Sequence, residues 1–381
     1  MTTETIWTNA RLVLSDEIVR GTIAFGCGGI TGILPGRSKL PGAIDVEGDF
    51  VVPGLVELHT DNVERHLNPR PNSYWPAHAA LLNHDREIAS AGITTVFNAL
   101  SIGHADSASR DFGRLQETCA ALSACKDSKL LKADHFLHLR CEVSCPDLPE
   151  LVDPLLDHPL AMLLSVMDHT PGQRQFATME AYRAYYMKKY QMSDEEFQVY
   201  ASERIEFQKR YSAPNRKAIV SKAHKRAIQI ASHDDATLNH VDEAVEDRVS
   251  IAEFPTTSAA AKASHDAGMA VLMGGPNVVR GKSHNGNASA RDFAEQGWLD
   301  IISSDYVPAS LLYASFVLSE CVERIDLPKA VRMVTAQPAK SAGLNDRGRL
   351  EEGLRADLVR FHDVEGTPVI REVRRKGQRI A

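Results

Sequence analysis

Phe50-Val-Val-Pro-Gly-Leu-Val-Glu-Leu-His59-Thr-Asp61 is an apolar run, bounded by turn residues, that ends in a histidine and a carboxylate two positions apart. Such a run fits a strand buried on both faces, as strands of parallel sheets are. Residues i and i+2 of a strand project to one face. His59 and Asp61 can therefore reach one ion, and imidazole with carboxylate is a reasonable start for a zinc, manganese or iron site. Alone, a His-x-Asp pair is a weak signal, and its weight depends on the rest of the chain.

Downstream, helix-like stretches lead to further apolar runs at 94–100, 136–141, 161–167, 227–231, 249–253, 269–273 and 300–304. With the first run these make eight strand candidates. Strands alternating with helix-sized segments predict an α/β fold with a parallel sheet, and eight such units predict a closed (β/α)8 TIM-type barrel. Upstream, short extended runs at 6–14, 21–25 and 30–34 are separated by a glycine turn at Gly26, Gly28 and Gly29. The last forty residues return to short strands and turns. We therefore expect a small β-sandwich-like domain built from 1–52 plus 340–381, flanking a catalytic barrel at 53–339. Residues 178–218 are polar and aromatic. They read as a helical insertion, with a helix start at Ser193 from its capping-box spacing to Glu196. Such an insertion covers the catalytic face or makes an oligomer contact, so a homo-oligomer stays open.

Composition removes several classes. With 381 residues, 43% of them hydrophobic, the chain can bury a full core. The net charge is -7 with no basic tract, which argues against a nucleic-acid partner. The amino-terminal stretch has no basic segment followed by an apolar one, and no run of about 18 apolar residues occurs. No membrane association and a cytoplasmic location are the expectations. The six cysteines form no C-x-x-C pair and are expected to be reduced, mostly buried thiols.

In (β/α)8 barrels functional groups sit at the carboxyl ends of strands. Four later runs end in ligand-type residues: Glu142, His169, His233 and Asp305. Asp234 and Asp235 follow His233 and are read as groups that orient it. His138 lies within a strand and is read as structural.

The stretches PGLVELHTDN (53–62), PRPNSYWPAH (69–78), HDREIASAGITTV (84–96), HLRCE (138–142), MDHTPGQRQF (167–176), ASHDDAT (231–237), AEFPTT (252–257), LMGGPNVVRGKSHNGN (272–287) and IISSDYVPASLL (301–312) resemble the amidohydrolase superfamily, specifically its phosphonate-degrading branch. The resemblance covers nearly the whole chain. It implies a metal-dependent hydrolase of the carbon–phosphorus lyase pathway. Its substrate would be a small phosphorylated ribosyl phosphonate, α-D-ribose 1-methylphosphonate 5-triphosphate, cleaved to the 5-phosphate and pyrophosphate. A cyclic amide or a deamination substrate is the alternative on this scaffold. The resemblance further implies one or two divalent ions, zinc above manganese or iron, on His59, Asp61, His169, His233 and Asp305, with Glu142 as a carboxylate able to bridge two. No lysine occupies the bridging place, so a carbamylated lysine is not expected.

Hydrolysis at phosphorus needs a proton acceptor, assigned to Asp305, and cations for the phosphoryl oxygens. Arg140, Arg174, Arg280 and Lys282 are the expected contacts, since guanidinium binds phosphate in two places. His284, in a glycine-rich loop, is a further expected substrate contact.

Overall fold

The computed structural model describes residues 4–70, 73–103, 108–176, 178–282 and 288–381. The amino-terminal strands are β1 (Thr5–Val13), β2 (Ile18–Gly26), β3 (Gly29–Pro35), β4 (Ile44–Asp45) and β5 (Phe50–Pro53). The barrel strands are β6 (Leu55–Thr60), β7 (Ile93–Ile102), β8 (Asp134–Glu142), β9 (Ala161–Met167), β10 (Gln229–His233), β11 (Ile251–Glu253), β12 (Ala270–Gly274) and β13 (Ile301–Ser303). The carboxyl-terminal strands are β14 (Leu358–Val364), β15 (Thr367–Arg375) and β16 (Gln378–Arg379).

The first sheet runs β16-β15-β14-β5-β1-β2-β3, with β4 beside β1, so both ends of the chain build it. Its core is Trp7, Leu12, Ile23, Phe25, Val51 and Leu358, with Trp7 and Phe25 edge to face at 5.0 Å. The second sheet runs β6 to β13 in sequence order with all pairs parallel. A parallel bridge between Thr60 and Asp305 joins its two edges. The eight expected barrel strands are all present.

The opening run divides in two. Phe50–Pro53 pairs with β14 and β1 in the terminal sheet, and only Leu55–Thr60 enters the barrel. Gly54 makes the switch. A Cβ there would overlap the Thr94 side chain and lie 2.9 Å from Asp357 Cβ, so the close approach excludes a side chain.

Val56, Leu58, Phe97, Leu163, Ala231, Ile251, Leu272 and Ile301 form the barrel interior. Side chains two positions further along the same strands point the same way. Ala231 thus leads to His233, Ile251 to Glu253, and Phe136 to His138 and Arg140. In β6 the pairing with β7 shifts between Glu57 and Thr60, and this irregularity brings His59 inward although Leu58 already faces the interior.

The 178–218 segment forms the helices Met179–Tyr190 and Asp194–Lys225. Ser193 caps the second helix: its side chain accepts from the Glu196 N–H, and Glu196 returns a bond to the Ser193 N–H at 2.7 Å. That helix continues past 218 and leads into β10, so the insertion has no boundary there. Phe176, Tyr182, Tyr186 and Phe197 pack the pair together. Among the described residues no helix is long and apolar enough to cross a membrane. Among the described residues the cysteines form no disulfide, and Cys119, Cys125, Cys141 and Cys145 are buried.

Candidate active site

Three imidazoles meet at the carboxyl ends of β6, β9 and β10. His59 Nδ1 lies 3.2 Å from Glu253 Oε1, and His233 Nδ1 lies 3.2 Å from Glu253 Oε2. His169 Nδ1 lies 2.7 Å from Glu142 Oε2. Burial pushes the Glu253 carboxyl up, but the His138 and His59 charges and the His233 and His59 hydrogen bonds outweigh it, holding the carboxyl well below its usual range. An ionised carboxylate only accepts, so each Nδ1 must donate. In neutral rings, the form a metal ion binds, this fixes the tautomer and leaves a lone pair on each Nε2.

The Nε2 atoms face carboxylates across a gap. His59 Nε2 is 3.9 Å from Asp61 Oδ1, His233 Nε2 is 3.5 Å from Asp234 Oδ2, and His169 Nε2 is 3.7 Å from the same oxygen. These separations are long for hydrogen bonds. They suit donors sharing an ion bound at about 2.0–2.2 Å from each. His59 and His233 are stacked with ring centroids 5.5 Å apart. Buried imidazoles oriented from behind by carboxylates, with lone pairs turned to further carboxylates, are the donor set a divalent ion requires.

Several expected residues take different places. Glu142 does not stand between two ion positions. Its Oε1 accepts from the His169 N–H at 3.0 Å and from Ser144 at 3.0 Å, while Oε2 holds His169 Nδ1, so it works behind His169. Asp234 does not orient His233 from behind. Its backbone is left-handed, with φ at 57°, and it turns the carboxylate to the Nε2 side, where burial pushes its pKa up to about 6. Asp235 and Arg174 pair with each other below the site. Arg174 also donates to the His233 carbonyl and is 5% exposed, so it supports β10 and does not face the pocket. His284 lies outside the described residues.

Other expectations meet at one cavity of about 560 Å³, lined by His59, Asp61, Arg140, His169, His233, Asp234, Arg280, Lys282 and Asp305 among others. Arg140 donates from one guanidinium nitrogen to Asp61 Oδ1 at 2.8 Å, and its buried Nε has no partner among the described residues. Asp305 is left-handed, with φ at 55°. Its N–H donates to the His59 carbonyl at 3.2 Å and its own carbonyl accepts from Thr60 Oγ1 at 2.7 Å, which places the side chain beside Gly274. The helix Met179–Tyr190 brings Tyr185, Tyr186 and Lys189 to the same cavity, so the insertion forms part of its wall.

Sequence reasoning missed Glu253, and His138, read as structural, stands behind it. Glu253 ends a strand candidate in a carboxylate, the same criterion that selected Glu142. His138 donates from Nδ1 to the Leu58 carbonyl at 2.9 Å. Ser165 Oγ donates to Glu253 Oε2 at 2.6 Å and pairs with His138 Nε2. His138 and Ser165 thus brace Glu253 from the barrel side. Burial lowers the His138 pKa to about 4. Glu57 was also missed. It is fully buried and accepts from the His59 and Ser304 N–H groups, tying β6 to the residue that follows β13.

Barrel, terminal sheet and a strand-end imidazole–carboxylate cluster define a class of hydrolases, and residues 86–367 match the amidohydrolase family, to which the chain belongs. It is similar throughout its length to the α-D-ribose 1-methylphosphonate 5-triphosphate diphosphatase of Escherichia coli (strain K12), with 44% identity over 373 residues, 98% of this chain and 99% of the relative. Among solved structures it resembles the N-acetyl-D-glucosamine-6-phosphate deacetylase of Mycobacterium smegmatis, with a TM-score of 0.66 at 14% identity, covering 99% of this chain and 100% of the other. The 5-methylcytosine deaminase of Klebsiella pneumoniae superposes with a TM-score of 0.65 at 15% identity, covering 99% and 98%. At such identities these structures speak to the fold alone.

Proposed function

We propose that this chain uses a divalent ion to hydrolyse α-D-ribose 1-methylphosphonate 5-triphosphate to the 5-phosphate and pyrophosphate; the Escherichia coli relative is named as a diphosphatase of that triphosphate. The observation that carries the metal part of the reading is the set of three Nδ1–carboxylate bonds that turn the His59, His169 and His233 lone pairs toward Asp61 and Asp234. These five residues with Asp305 would hold one ion or two. Imidazole with carboxylate suits zinc, and manganese or iron next. A divalent ion there supplies Lewis acidity for a phosphoryl oxygen and lowers the pKa of water.

The chain's own groups do the rest. Asp305, fixed by its two backbone bonds, accepts the proton at its carboxylate. Arg140 brings its guanidinium to the cavity wall beside Asp61, where it meets phosphoryl charge. Arg280 and Lys282, on the exposed rim after β12, meet the departing pyrophosphate. A cytoplasmic setting agrees with cysteines that form no disulfide among the described residues.

The test is elemental analysis of the protein purified without added metal, beside pyrophosphate release from the ribosyl methylphosphonate triphosphate, in wild type and His59→Ala. Bound zinc, manganese or iron that falls in the variant together with pyrophosphate release supports the reading. Metal with no pyrophosphate release moves the substrate toward a cyclic amide. No metal, with the variant as active as wild type, sinks it.

A further inference from the structure

The cations of the cavity approach the imidazole cluster from different sides. Arg280 and Lys282 follow β12, while Arg114 lies on the helix Ala108–Asp127 that follows β7. Round the barrel these two strands are separated by β13 and β6. The surroundings also differ. Arg280 and Lys282 line the cavity close in sequence to Gly274, Pro276 and Asn277, whereas the exposed Arg114 lines it close in sequence to Phe112, Leu115 and Thr118, and Leu67, Leu100 and Leu151 line the same cavity. The Arg114 guanidinium lies 4.6 Å over the ring of Tyr74. Stacking on an aromatic face holds the plane of a guanidinium and leaves its N–H edge able to donate.

The substrate proposed above has two unlike ends, and this step rests on that reading. The pyrophosphate leaving from the α-phosphorus of the 5-triphosphate carries several charges and no apolar surface. The methylphosphonate ester on C1 carries one charge and a methyl group. The first matches a rim with two cations and small neighbours. The second matches one arginine in a cavity lined also by apolar side chains, where the methyl group is taken out of water and the oxyanion meets a fork of donors.

We infer that Arg114, held by Tyr74 in the cavity that Leu67, Leu100, Phe112, Leu115 and Leu151 also line, is the subsite for the C1 alkylphosphonate and sets specificity at that end of the substrate. It binds no reacting atom and does not touch the imidazole cluster.

The experiment measures pyrophosphate release from two substrates, α-D-ribose 1-methylphosphonate 5-triphosphate and ribose 5-triphosphate, which lacks the C1 group. Wild type is expected to favour the first. Arg114→Gln is expected to cut the ratio of the two kcat/KM values about 10- to 100-fold, mainly through KM, as loss of a hydrogen bond to a charged group does. Tyr74→Leu keeps the arginine, removes its stack and moves the ratio the same way by a smaller factor. Arg280→Gln lowers both substrates and leaves the ratio near its wild-type value. An Arg114→Gln ratio equal to wild type, or a wild type that does not distinguish the substrates, overturns the subsite while the proposed reaction stands. A wild type that releases pyrophosphate from neither substrate overturns the proposed reaction and the subsite with it.

Discussion

His59 Nδ1 stands 3.2 Å from Glu253 Oε1, and this one buried contact decides which nitrogen of His59 can meet an ion. The second oxygen of the same carboxylate does the same for His233. Glutamine at 253 offers one acceptor and one donor, so it can satisfy only one of the two Nδ1–H groups. Glu253→Gln is therefore expected to weaken metal binding about 10- to 100-fold, the usual cost of removing such a partner. Chelator competition on the purified variant measures it, and an affinity equal to wild type would refute the role.

Asp234 and Asp235 are neighbours with separate tasks. Asp234→Asn is expected to lower bound metal, because its Oδ2 faces two imidazole nitrogens at 3.5 and 3.7 Å. Asp235→Ala leaves the guanidinium of Arg174 buried beneath β10 with only the exposed Glu243 carboxylate at 3.5 Å. Breaking a buried pair in this way costs about 3–5 kcal/mol, which urea unfolding of the metal-free protein would show. Equal stability of the two variants would refute the division.

Away from the site, His84 makes stability depend on pH. Its Nδ1 accepts from Asn62 at 3.0 Å and its Nε2 donates to Asn98 at 2.9 Å, so the neutral ring is fully paired. Burial, and then the nearby His135 charge, push its pKa from about 6.5 down to about 3. Between these values the unfolded chain binds a proton that the folded chain does not. This contribution is present above about pH 6.5 and is lost as pH falls toward 3, with a slope of at most about 1.4 kcal/mol per pH unit. Urea unfolding of the metal-free protein between about pH 7 and pH 5 should show the slope, and His84→Gln should reduce it. An unchanged slope in the variant would count against this account.

At the junction of the two sheets, Gly54→Ala forces a methyl group against Thr94 and Asp357. Overpacking of this kind costs about 1–3 kcal/mol. A lower melting temperature is expected, with bound metal retained, because Gly54 lies at the opposite end of β6 from His59. An unaltered melting temperature would show that the junction yields freely.

The architecture was legible because strand and helix periodicity is local. Each of the eight barrel strands announced itself as a short apolar run, and a capping box marked Ser193 within four residues of chain. The division of 50–59 into two strands was not legible. Val51 and Val56 are equally apolar, and only the pairing partners of Phe50–Pro53 show that the run serves two sheets.

For the site, the sequence by itself determined which strand ends carry imidazoles and carboxylates, and three of the histidines chosen on that basis meet in one cluster. Only the tertiary structure decided which carboxylates face the ion position and which stand behind a histidine. Glu142, Asp234 and Glu253 are alike in composition and in place at a strand end, so nothing local separates them. Their roles depend on the direction of a side chain and on a partner far along the chain, as Glu253 is 194 positions from His59. The same holds for cations. Arg140 and Arg174 both belong to motif-like stretches, but Asp61 draws one to the cavity and Asp235 draws the other beneath it. A buried charge settles where the fold supplies its counter-charge, and that is a property of packing, not of spacing.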